Sequence, residues 1–132
     1  MYQLKKSNSY TYTAMPKKTI LNYCTISAEN IHFSSTQKSI QLADIVMLKA
    51  DVNYTYFYLA NGKCIVFSKT MKTFAELLPS CSFIRTHKTY LINKHYLKSV
   101  NQEEDLINLS NGMNVPISRR KRRSVLPQIM NN

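Results

Sequence analysis

Only two glycines occur in the 132 residues, and each follows an asparagine between apolar runs, at Asn61-Gly62 and Asn111-Gly112. Asn-Gly supplies the left-handed backbone that a tight turn requires, so these two places mark two hairpins. In the first, Tyr54–Leu59 runs up and Cys64–Phe67 runs back, with Tyr54, Tyr56 and Tyr58 on one face and Phe57 and Leu59 on the other. Both faces are bulky, as in a strand covered on both sides, and a two- or three-residue loop serves equally well. In the second hairpin a two-residue loop would set Leu109 opposite Asn114. The loop Ser110-Asn111-Gly112 instead sets Leu109 opposite Met113 and Ile107 opposite Val115. Apolar pairing selects the three-residue loop, with Gly112 left-handed at a bulge. Pro116 then falls near the strand's end, where its missing N–H costs least.

Other apolar pieces are short: Ile31 with Phe33, Ile40 with Leu42, then the run from Ile45 to Leu48. Helical spacing is clear in one place, where Met71, Phe74, Ala75 and Leu78 fall at i, i+3, i+4 and i+7, with Thr70 placed to cap the start and Pro79 to stop the end. A second helix is expected from Arg119 toward Pro127, with Val125 and Leu126 as its apolar contacts. The elements predict a mainly β fold with one or two short helices. A chain of this length suits one domain with a single core that needs no metal or disulfide. Residues 1–30 are polar, interrupted by Pro16-Lys17-Lys18, and read as an N-terminal extension in which residues 20–26 can form an added strand.

Charge narrows the function. Lysine and arginine number 18 against 7 acids, a net charge of +11, which implies a polyanionic partner or surface. The excess is spread along the chain, with eight cations against three acids between residues 44 and 100. Five consecutive cations, Arg119, Arg120, Lys121, Arg122 and Arg123, follow Ser118, a good N-cap. Positive charge in a first helical turn opposes the macrodipole by about 0.3 to 1 kcal/mol per exposed residue, so an anion is expected to meet it. A run on a solvated face would need no partner; the charge elsewhere in the chain favours a ligand. Glu103, Glu104 and Asp105 are expected on a turn facing away from that anion.

Cys24, Cys64 and Cys81 are odd in number and lack metal spacing with His32, His87 and His95, so they are expected to be buried free thiols, with no metal and no cofactor. Cys81 and His87 have neither an oxyanion hole nor a third orienting group, and the chain is read as non-enzymatic. With no spanning apolar stretch and no signal-type segment, a soluble cytoplasmic protein without membrane attachment is expected.

Between Phe83 and Asn93 polar groups interleave with apolar ones, placing Arg85, His87 and Lys88 within four positions. This segment resembles the LytTR family of bacterial DNA-binding domains, whose hallmark Phe-x-Arg-x-His-x-Ser-Tyr-Leu-Val-Asn is carried by Phe83, Arg85, His87, Thr89, Tyr90, Leu91, Ile92 and Asn93. Asp44-Ile45, then Ala50 with Asn53-Tyr54, then the helix between Thr70 and Leu78, and finally Val115-Pro116-Ile117-Ser118-Arg119-Arg120 follow the family's other landmarks in order. Thr89, Ile92 and Met71 depart mildly from the pattern, and Val52 stands where a small or polar residue is common.

The resemblance covers about residues 31–126, leaving 127–132 as a tail. It implies elongated antiparallel sheets, or a sandwich of them, that bind double-stranded DNA through loops and strand ends. The implied contacts are Asn53, Tyr54, Arg85, His87, Lys88, Asn93, Arg119, Arg120 and Lys121. Asparagine suits adenine, arginine guanine, and histidine or lysine guanine acceptors or phosphates. Lys69, Lys72 and Lys94 would position the backbone. Arg85 could instead pair with Asp51 or Glu76, and Asn93 could instead bond backbone groups. The expected role is a stand-alone transcriptional regulator without a receiver, occupying paired promoter repeats as a homodimer formed on DNA. Two other readings stay open: a single-strand or RNA binder using the tyrosine stripe for base stacking, and an interaction adaptor using its basic face on acidic proteins or membrane.

Overall fold

The computed structural model describes residues 19–20 and 24–130, which divide between two units, Met1–Leu42 and Ala43–Asn132. In the first unit, β1 (Thr19–Ile20), β2 (Cys24–Ile26), β3 (Asn30–Phe33) and β4 (Lys38–Gln41) form an antiparallel meander. The stretch read as one added strand thus contributes to two, while residues 1–18 lie outside the described residues. Cys24 pairs with Phe33, Ile26 with Ile31, and Ile31 with Ile40. This register puts all five on one face, and all five are buried.

The second unit is built on a five-stranded antiparallel sheet. Its central strand, β5 (Ile45–Asp51), lies between β6 (Tyr54–Leu59) and β9 (Tyr90–Asn93), with β7 (Cys64–Phe67) and β8 (Phe83–His87) at the edges. Ile45, Val46, Met47 and Leu48 are all buried because both faces are covered. A register shift between Ile45 and Met47 marks a bulge at Val46. It explains how Val46 and Met47, neighbours in sequence, join the same apolar cluster.

On one face Leu48 stands between Phe57 and Leu91. The helix α1 (Met71–Leu77) covers this face, with Phe74 edge-on to Phe57 at 4.9 Å between ring centroids. The stripe Met71, Phe74, Leu78 is buried as its spacing requires. Thr70 precedes the helix in extended backbone, but its hydroxyl makes no cap bond and lies 3.5 Å from the Thr73 hydroxyl. The expected side-chain cap is therefore absent.

On the opposite face Met47, Ile92 and Ile84 pack with Ile107, Leu109, Val115, Ile117, Val125 and Ile129. Apart from Ile117, which follows β12, the last six come from a three-stranded sheet, β10 (Leu97–Asn101), β11 (Leu106–Leu109) and β12 (Asn114–Pro116), and from α2 (Arg122–Met130). Both Asn-Gly turns close as three-residue loops: Leu59 donates to the Lys63 carbonyl and Leu109 to the Met113 carbonyl, each at 2.9 Å. Gly62 and Gly112 adopt φ of +90° and +91°. Ile107 faces Val115, as apolar pairing predicted. The second helix runs beyond Pro127 to Met130, because Ile129, one turn after Val125, has a place in the core. Among the described residues no helix is long and apolar enough to cross a membrane.

The thiols differ from expectation. Cys24 is buried, and burial raises its pKa, but Cys64 and Cys81 are exposed. Cys64 opens an edge strand, and Cys81 lies in the turn between α1 and β8. That turn begins β8 and His87 ends it, about 15 Å of extended chain away. The two cannot form a nucleophilic pair.

Candidate nucleic-acid interface

Antiparallel register brings the first two predicted turns together. β5 turns into β6 through Val52-Asn53, with Asp51 opposite Tyr54, and β8 turns into β9 through Lys88-Thr89, with His87 opposite Tyr90. Lys49 pairs with Tyr90, and one residue further on the Ala50 N–H donates to the Thr89 carbonyl at 2.8 Å. The two turns are thus side by side at one end of the sheet. The third segment arrives from β12, where the Ser118 N–H donates to the Thr86 carbonyl at 2.9 Å. Thr86 is the bulge residue between Arg85 and His87. Ser118, and the cations after it, therefore begin one residue from the His87 turn.

Ser118 caps as its type suggests: its Oγ accepts from the Lys121 N–H at 3.1 Å. A 3-10 turn, Arg119–Lys121, leads into α2. Arg119, Arg120 and Arg123 are exposed, while Lys121 and Arg122 are half-buried. No acid pairs with Arg119 or Arg120 among the described residues. Arg122 is different, since it forms an ion pair with Asp105 and donates to the Gln102 carbonyl at 3.3 Å. Asp105 thus turns toward the cationic run, contrary to the expectation for the acidic turn. Its left-handed backbone, φ +53°, and the bond from the Ile117 N–H to its carbonyl hold it there.

At the second turn, His87 Nδ1 accepts from the Thr89 N–H at 3.2 Å and lies 3.0 Å from the Thr89 hydroxyl. With Nδ1 engaged inside the turn, Nε2 is the ring nitrogen left for a ligand. The Tyr90 ring stands edge-on at 6.0 Å, and the Lys49 ammonium lies 5.8 Å from that ring's centroid. Lys49 escaped the sequence reading, since only strand pairing sets it beside Tyr56 and Tyr90.

Two predicted contacts have other duties. Arg85 aims its guanidinium back into its own hairpin, with Nε donating to the His87 carbonyl at 3.4 Å and a terminal nitrogen donating to the Lys88 carbonyl. It pairs with neither Asp51 nor Glu76; it braces the turn that carries His87 and Lys88. Asn93 is only 4% exposed, at the other end of β9, about 10 Å along the strand from the turn. Its Nδ2 donates to the Ile45 carbonyl at 2.9 Å and its Oδ1 accepts from the His95 N–H at 3.0 Å. Asn93 ties two strands and caps a short turn, so it leaves the set of surface candidates, and Lys94 lies at that same far end.

The tyrosine stripe is graded along β6. Tyr58 packs on the apolar cluster, Tyr56 is half-buried and Tyr54, at the turn, is 49% exposed. It is not an open row of rings for stacking bases.

Comparison with protein families matches residues 35–130 to the LytTr DNA-binding domain. Among solved structures, a LytTr DNA-binding domain from Bacillus cereus superposes with a TM-score of 0.65 at 21% identity, covering 78% of this chain and 98% of that one. At that identity the likeness is one of fold. No curated protein matches the chain. The family match takes in β5 to β12 and both helices, including all three segments that meet at the end of the sheet, and so the chain belongs to the LytTr DNA-binding domain family.

Proposed function

We propose that the chain binds double-stranded DNA in a sequence-specific manner and regulates transcription from promoter sites, two copies occupying paired repeats. The observation that carries this reading is the meeting of three turns at one end of the second unit, joined through the Ala50–Thr89 and Ser118–Thr86 hydrogen bonds. Asn53 and Tyr54 stand on the first turn, His87 and Lys88 on the second, and Arg119, Arg120 and Lys121 on the third. Asparagine, imidazole and guanidinium can read base edges, whereas Lys121, Arg123 and Lys49 supply charge to phosphates. Arg85 acts on the second turn and leaves base contact to its neighbours.

Selection of bound duplexes from a random pool tests the proposal, followed by titration of the selected duplex and each of its single strands at one salt concentration. Enrichment of a paired motif, bound more tightly as duplex, is expected. Equal affinity for single strands with no enriched motif would refute the reading.

A further inference from the structure

Val52, at the tip of the first turn, pays twice for its position. Its side chain is 85% exposed, against 51% for Met130 and 49% for Tyr54, the next most exposed large apolar residues described. Its backbone is left-handed at φ +54°, a conformation that β-branched side chains rarely adopt. Elsewhere the chain meets this geometry without such a conflict. Gly62 and Gly112 carry it in the two Asn-Gly loops. Gln37 and Asp105 also adopt it, but Gln37 donates from Nε2 to the Ser34 carbonyl at 2.8 Å and Asp105 pairs with Arg122. Valine can make no such bond, and its side chain stays exposed among the described residues.

We propose that Val52 is a base-reading residue, its side chain packing on the C5 methyl of a thymine in the major groove. Val52 precedes Asn53 on the same two-residue turn, and the Ala50–Thr89 bond sets that turn beside His87 and Lys88. The thymine methyl is the apolar group that the major groove offers, and small apolar side chains are its usual partners. The strained backbone holds the valine forward where a relaxed turn would carry glycine. This inference rests on the double-stranded DNA reading.

The experiment uses the full chain and the duplex it selects from a random pool, with each thymine replaced in turn by deoxyuridine, which removes only the methyl group. The wild type should lose about three- to fivefold in affinity at one position, the scale of one buried methyl group. Val52→Gly should bind the parent duplex more weakly by a similar factor, lose nothing further at that position and unfold at no lower temperature. Val52→Ile should keep the wild-type profile. If wild type and Val52→Gly bind the duplex with the same deoxyuridine profile, the role of Val52 is overturned while DNA binding stands. A lower melting temperature of Val52→Gly with that shared profile would make Val52 a folding residue, which also overturns it. If no duplex is selected, the DNA reading itself fails and takes the inference with it.

Discussion

Arg85→Ala separates a brace from a phosphate contact. In the folded chain its guanidinium donates to the Lys88 carbonyl and, at 3.4 Å, to the His87 carbonyl. Hydrogen bonds from a charged donor contribute about 1.5 to 3 kcal/mol each. Here the side chain is half-buried, one bond is long, and water can reach the turn carbonyls once the arginine is gone. The two together are therefore placed near the bottom of that range, at about 1.5 kcal/mol. For a unit of this size such a loss lowers the melting temperature by roughly 6 to 12 °C. A loosened His87–Lys88 turn must be reordered on binding, which weakens association by up to about tenfold. The salt dependence should stay as it was, because no phosphate contact has been removed. Thermal unfolding and fluorescence anisotropy over a salt series read all three quantities. Arg85→Lys keeps the charge and the stem but cannot span two carbonyls, so it should fall with the alanine variant. An unchanged melting temperature, with the salt slope reduced by about one unit, would show Arg85 on a phosphate and refute the bracing argument.

Arg120→Ala should cost about 1 to 3 kcal/mol on the selected duplex and much less on random DNA, whereas Lys121→Ala should weaken all duplexes alike and reduce the salt slope by about one unit. Equal losses on random DNA would make Arg120 a phosphate contact. Asn93→Ala breaks its buried bonds to Ile45 and His95 and should destabilise the fold by about 1 to 3 kcal/mol, with the salt slope unaltered; denaturant titration checks the first and anisotropy the second. Ile129→Ala should cost about 2 to 4 kcal/mol if the last turn of α2 belongs to the core, against almost nothing for the exposed Met130→Ala in the same unfolding assay.

Hairpins and helices were legible where local chemistry decides them. The Asn-Gly turns, the pairing of Ile107 with Val115 and the stripe Met71, Phe74, Leu78 depend on residues within a few positions of one another, and each was readable from spacing. Ser118 as a cap was equally local. Apart from the absent Thr70 cap, what failed was long-range. Ile129 follows Pro127, which marks a helix end by sequence rules, yet the cluster under the sheet had room for one more apolar side chain. Arg85 and Asn93 belong to the family pattern, and a pattern does not tell a side chain that touches a ligand from one that holds the turn or strand beneath it. Asp105 was placed with its acidic neighbours, but a left-handed backbone turned it toward Arg122.

The amino-acid sequence by itself determined the class of fold, the net positive charge and the three segments proposed to meet a nucleic acid, because turn residues, charge and short motifs act locally. Tertiary structure alone decided that those segments share one end of a sheet, since that depends on the pairing of Lys49 with Tyr90 and on the Ser118 bond to Thr86. It also decided which polar side chains remain free there, because hydrogen bonds formed inside the fold are settled only once strands distant in sequence have found their register.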